Sequence, residues 1–208
     1  IETRGRLWLA LQLLKYRIGL RVKSPYSLKD MAKDSIAVLD ELEIGEANII
    51  GASMGGMIAQ TVAYDFPERT RSLISIMSTT WAPHLPPPGR EQEQGISDMN
   101  ESSAEQVENL EKIGFYPTAL PNQITAILSA GDRTTQVGTI EAPTLVLHGA
   151  DDELLSVEHG KHTAEVISGA KLKIYKNMGH SLPDHVIPQM VSDILGHLST
   201  KPKLASSE

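Results

Sequence analysis

The chain has 208 residues, 19 basic and 26 acidic, giving a formal net charge of −7, and it contains no cysteine. That length fits one domain with a sizeable core. The acidic balance, with no basic cluster, argues against a phosphate-tracking nucleic-acid surface. The lack of cysteine excludes disulfides, zinc–thiolate sites and a cysteine nucleophile.

The chain opens on Ile1 and shows no signal-peptide pattern, so a translation start further upstream and a cytoplasmic location are expected. The run LWLALQLLKYRIGL (7–20) is apolar but too short to span a bilayer, and it carries Lys15 and Arg17. A buried or interfacial helix is predicted there, and no other stretch approaches a transmembrane segment. Ser27 followed by LKD reads as a capping box that opens a helix over 28–42, with apolar residues at 28, 31, 32, 36, 39 and 42.

GEANIIG then reads as a short buried strand, and MGGMIAQTVAYDF as a helix stopped by Pro67. RSLISIMS (71–78) is a second strand. From Thr79 to about Thr139 the alternation breaks into a Pro-rich loop, a polar helix SAEQVENLEKIG and a further helix PNQITAILSAG. It returns with APTLVLHG (142–149) as a strand, SVEHGKHTAEVIS as a helix, AKLKIYKN as a strand and PDHVIPQMVSDILGHL as a closing helix. The tail from 201 to 208 is expected to fray. Strands alternating with helices imply an α/β fold, a mostly parallel sheet flanked by helices on both faces.

Ligands of such sheets sit beyond the carboxyl ends of the strands. After the first strand comes Gly51-Ala52-Ser53-Met54-Gly55, a G-x-S-x-G pentapeptide with a further Gly56. A serine on a sharp strand-to-helix turn is held in a strained conformation that exposes its hydroxyl, and side chains two positions either side are expected to collide. The same turn places the Met54 N–H at a helix N-terminus, where it can stabilise an oxyanion. The later strand ends supply two acids, Asp151 and Asp152, and then His180.

Serine, acid and histidine, each after a successive strand, follow the chain order of the α/β-hydrolases, and the motifs resemble that superfamily. VLHGADD looks like its H-G-x-x-D acid loop, MGHSLP like its histidine loop, and ANIIGASMGGMIAQTVAYDFPERTRSLISIMSTT is similar to the nucleophile region of small bacterial esterases of the aclacinomycin-methylesterase type. The resemblance covers roughly residues 24–80 and 120–198. It implies an α/β-hydrolase core over 1–80 and 140–200, with 81–139 as a short helical cap. It also implies a Ser53–His180–Asp152 triad; Asp151 is read as a solvated loop or helix-capping residue. The expected activity is hydrolysis of carboxylic esters of short to medium acyl chains through an acyl-serine, without metal or cofactor. The partners expected are a small-molecule ester and no nucleic acid. The alternatives are a non-catalytic ligand-binding protein on the same fold, or an acyltransferase or perhydrolase using the same residues.

Other candidates read as structural. His159 and His162 lack a third metal ligand and are expected on a solvated helix face, His148 in a structural hydrogen bond, and His185 and His197 on the surface. Trp81, Phe115 and Tyr116 suit either an acyl pocket or simple packing. Against the family pattern, residues 1–46 hold no strand-like run before the capped helix and no His-Gly pair to supply a second oxyanion donor. IETRG faintly resembles the Asp-x-Arg-Gly segment that follows the family's fourth strand. The chain is therefore expected to begin after four of the family's strands, leaving a four-stranded sheet with the nucleophile strand at its edge. Such an edge must be covered, by the 7–20 helix or by a second copy in a homo-oligomer.

Overall fold

Two periodicities build the molecule: a 3.6-residue apolar repeat in the helices and short apolar runs in the strands between them. The computed structural model describes residues 6–89, 112 and 116–199. The IETRG segment, most of the polar helix expected over 103–114, Phe115 and the 201–208 tail lie outside the described residues.

Helix α1 spans Arg6–Arg17 and α2 spans Leu28–Glu41. The start of α2 is set chemically. Ser27 Oγ accepts the Asp30 N–H at 3.2 Å, and the Asp30 carboxylate accepts the Ser27 N–H at 2.9 Å. This reciprocal cap satisfies two donors that the helix itself leaves open. Leu28, Ala32 and Ile36 form the buried face of α2.

Strand β1 (Ala47–Ala52) runs into α3 (Met54–Asp65), which Pro67 terminates, and β2 (Thr70–Ile76) follows. Then come α4 (Leu120–Ala130), the short α5 (Thr134–Val137), β3 (Thr144–Gly149), α6 (Val157–Val166), β4 (Lys171–Tyr175) and α7 (Ile187–Leu198). The four strands pair in parallel in the order β1-β2-β3-β4.

Strand alternation divides the core in two. Ile74, Ile76, Leu145 and Leu147 pack with Met178, Val186 and Met190 on the α7 side. Leu73 packs with Ala59 and Ala63 of α3, together with Val137, Ile140 and Ile167, on the other. Each fully buried leucine or isoleucine contributes about 1.5–3 kcal/mol. With both faces covered, β2 and β3 carry the unbroken apolar runs seen in the sequence.

Among the described residues β1 is an edge strand. Ile50 is 51% exposed, and a shallow cavity of about 240 Å³ lined by Ile49, Ile50, Gly51 and Ile58 runs beside it. Helix α1 packs against α4 rather than over this edge. Its inward residue is polar: Gln12 is 1% exposed and its Oε1 accepts the Lys23 N–H at 2.9 Å. Leu7, Leu11, Leu14 and Ile18 face outward, so of the two readings of this helix, buried or interfacial, burial by its leucines does not hold.

Candidate active site

Three loops at the carboxyl ends of β1, β3 and β4 converge. Ser53, between β1 and α3, has φ 52° and ψ −120°, a conformation that non-glycine residues rarely adopt. Its N–H donates to the Ile76 carbonyl at 2.9 Å, which ties the turn to the end of β2.

The glycines divide their tasks differently from the sequence expectation. A Cβ at Gly51 would lie 2.0 Å from the Gly55 carbonyl oxygen, whereas a Cβ at Gly55 would meet nothing within 4 Å. The second crowded position is Gly56, where a Cβ would lie 2.6 Å from that of Ser78. The turn thus needs Gly51 for its own closure and Gly56 for the approach of α3 to the segment after β2. Met54 is the first residue of α3, so its N–H has no acceptor within the helix.

Asp152 and His180 are held by a joint between their loops. The Ala150 N–H donates to Tyr175 O at 2.8 Å and the Asp151 N–H to Met178 O at 3.0 Å. Gly149 makes this approach feasible, since a Cβ there would sit 2.1 Å from Met178 O. Asp151 itself is exposed, while Asp152 is buried. The result is one hydrogen-bonded chain: His180 Nε2 lies 2.8 Å from Ser53 Oγ, and His180 Nδ1 lies 2.8 Å from Asp152 Oδ2.

The other carboxylate oxygen, Asp152 Oδ1, accepts the N–H groups of Leu154 at 3.0 Å and Leu155 at 2.9 Å. Burial by itself would raise the Asp152 pKa. The neighbouring His148 ring and the hydrogen bonds from His180 and the Leu155 N–H outweigh it and hold the carboxyl well below the usual carboxylate range. An ionised Asp152 selects the Nδ1–H tautomer of His180 and leaves Nε2 free to take a proton from Ser53.

The remaining histidines are set into the structure. His148 is fully buried, with Nε2 2.8 Å from Leu155 O and 3.4 Å from Asp152 Oδ2. His159 does not lie on a solvated face: it is 3% exposed, with Nδ1 2.8 Å from Thr79 Oγ1 and Nε2 3.0 Å from Pro86 O. His162 bonds Thr80 and meets His84 edge-on. Among the described residues no group of three His, Asp or Glu side chains could hold a metal. His185 is exposed, but His197 is buried with Nε2 3.2 Å from Pro143 O, because the apolar face of α7 carries it inward. Trp81 lies half-buried with its Nε1–H donating to Tyr16 Oη at 3.0 Å, and Tyr116 is exposed.

Sequence reading missed Arg133, which is 3% exposed. Its guanidinium donates to Gln60 Oε1 at 3.0 Å, to Met57 O at 3.3 Å and to Thr79 O, linking α3 to the segment after β2. Its only sequence signal is an arginine within GDRTT, which reads as a surface turn.

A family model described as alpha/beta hydrolase fold matches residues 17–110. Rhodomycin D methylesterase DauP of Streptomyces sp. (strain C5) is 24% identical over 219 residues, covering 83% of this chain and 74% of that protein. The poly(3-hydroxyalkanoate) depolymerase of Ectopseudomonas oleovorans is 28% identical over 183 residues, covering 76% of this chain and 62% of its relative. The crystal structure of a hydrolase from Pseudomonas aeruginosa PA01 superposes with a TM-score of 0.63 at 25% identity, covering 86% of this chain and 75% of that one. The chain has the α/β-hydrolase fold, and these matches support its membership of that superfamily. It spans between 62% and 74% of the length of these two curated relatives. Among the described residues no helix is long and apolar enough to cross a membrane.

Proposed function

We propose that this protein is a serine hydrolase that cleaves carboxylic esters of short- to medium-chain acids. The observation that carries the reading is the unbroken run of 2.8 Å contacts from Ser53 Oγ through the His180 ring to Asp152. Ser53 Oγ adds to the ester carbonyl carbon as its proton passes to His180 Nε2, and Asp152 stabilises the imidazolium. The Met54 N–H donates to the oxyanion. Collapse breaks the bond to the alkoxy oxygen, which leaves with the proton from Nε2. Water then attacks the acyl-serine by the same base catalysis and releases the acid.

The methylesterase and depolymerase relatives support ester chemistry. In this reading residues 81–139 act as a cap over the site. A short cap offers little apolar wall, so acyl chains of about two to eight carbons fit best. The open edge of β1, with Ile50 exposed, suits a homo-oligomer in which a second copy covers the strand. Light scattering across a dilution series tests that contact, and a monodisperse monomer of unchanged specific activity refutes it.

The central test uses p-nitrophenyl esters and a serine-directed phosphonate. Wild type should turn over the short esters and become labelled, and Ser53→Ala should do neither. Labelling that persists in Ser53→Ala refutes the assignment. Tight binding of ester analogues without turnover by wild type would favour a binding protein.

A further inference from the structure

We infer that His148 is a positioning residue for the Asp152 carboxylate, a second histidine on the same oxygen that faces His180. The inference rests on the serine-hydrolase reading of the site. His148 lies on β3, four residues before Asp152, and is fully buried. Its Nε2 faces two groups that only accept: the Leu155 carbonyl at 2.8 Å and Asp152 Oδ2 at 3.4 Å. Nε2 therefore carries the proton, donates it to the Leu155 carbonyl, and presents its positive edge to Asp152 Oδ2 as a longer polar contact. Leu155 in turn donates its N–H to Asp152 Oδ1 at 2.9 Å. His148 and the Leu155 backbone thus close a ring around the carboxylate, gripping one oxygen from each side.

The fold makes room for this ring at a cost that bulk packing does not require. A Cβ at Gly160 of α6 would lie 2.5 Å from His148 Nδ1, so glycine is needed for the imidazole to fit. Nδ1 is buried without a partner, so the polar ring is only half satisfied. What the histidine supplies is its Nε2 donor. Asp152 Oδ2 must aim at His180 Nδ1, and apart from His148 only the mobile imidazole it serves contacts that oxygen, the backbone N–H groups of Leu154 and Leu155 holding Oδ1. The nearby titratable groups are His180, Asp152 and His159, the last engaged with Thr79 and Pro86.

The test compares His148→Phe with His148→Gln, whose amide can restore a donor near the Nε2 position, and adds Gly160→Ala, which displaces the ring without removing it. The first readout is the acidic limb of kcat/KM against pH with a p-nitrophenyl ester. Losing a donor leaves Asp152 more basic, and it then holds the His180 proton more tightly. His148→Phe should lower kcat/KM about tenfold and move the limb up by about half to one pH unit. His148→Gln should stay near wild type, and Gly160→Ala should shift in the direction of His148→Phe. The second readout is the low-field proton NMR signal of the His180–Asp152 hydrogen bond, which does not depend on turnover.

If wild type proves inactive on esters, the hydrolase reading fails while the proton signal still reports on His148. If His148→Phe does not fold, the Gln and Gly160→Ala variants decide. An unmoved limb and proton signal in His148→Phe overturn the inference. So does a His148→Gln variant shifted as far as the Phe variant, or an unmoved Gly160→Ala, because a purely structural ring would lower stability without touching either signal.

Discussion

Alanine at Gly51 and alanine at Gly55 should have opposite effects, although both glycines belong to one G-x-S-x-G pentapeptide. The added Cβ at position 51 would lie 2.0 Å from the oxygen and 2.4 Å from the carbon of the Gly55 carbonyl, and 2.8 Å from the Gly56 nitrogen. All three are backbone atoms of the first turn of α3, so no side chain can rotate away. Relief requires the turn to move by more than an ångström, since ordinary contact begins near 3.4 Å. Overpacking of this kind costs about 1–3 kcal/mol, and rigid backbone places Gly51→Ala at or above the upper end. The displaced turn carries Ser53 and the Met54 N–H, and a misplacement of about 1 Å at a reacting centre costs on the order of 10² in rate. A Cβ at Gly55 meets nothing within 4 Å, and there alanine gains about 0.5–1 kcal/mol of helix propensity. Urea unfolding followed by circular dichroism, with kcat/KM on p-nitrophenyl acetate, measures both variants. Equal destabilisation of the two, or a Gly51→Ala variant as stable and active as wild type, would refute the steric reasoning.

Removing the buried guanidinium in Arg133→Met strands the Thr79 carbonyl and the Gln60 amide oxygen. Relief of burying the charge offsets part of the loss, and a net destabilisation of about 2 kcal/mol is expected in urea; an unchanged or raised midpoint contradicts it. Burial holds the His159 imidazole below its ordinary value, more strongly than the Pro86 carbonyl and Asp152 favour the charged form. The unfolded chain therefore binds the extra proton first. The contribution of His159 to stability is complete above about pH 6.5 and is lost as pH falls below that value. His159→Gln should flatten the pH dependence of the urea midpoint below about pH 6.5, and an equally steep decline in the variant would show that the burden lies elsewhere. Asp152 behaves oppositely to an ordinary buried acid: its pKa is depressed, so its contribution is present above about pH 4 and is lost only as pH falls below that. Asp152→Asn should remove that acid-side decline, as read from unfolding curves between about pH 4 and 2.

Much of the fold was legible in the sequence because local rules and the final packing agree. Ser27 and Asp30 announce the start of α2 by a reciprocal bond that needs no tertiary partner. The runs LISI and TLVL read as strands because both faces of β2 and β3 are buried, and the strand-turn-helix at Ser53 is a consequence of backbone geometry that only glycine-flanked sequences tolerate. Chain order likewise placed Ser53, Asp152 and His180 after the strands that became β1, β3 and β4. Their 2.8 Å contacts were not legible, since they depend on Gly149 letting the acid and histidine loops close on each other. Tertiary structure alone decided which glycine of the pentapeptide is crowded, because that is set by where α3 crosses β1 and meets Ser78. It alone buried Gln12 on a helix whose leucines face outward, and it alone drew Arg133 and His159 into the interior. Each of these is a polar side chain whose place is fixed by partners 11 to 80 residues away in the chain, and no periodicity within a single segment carries that information.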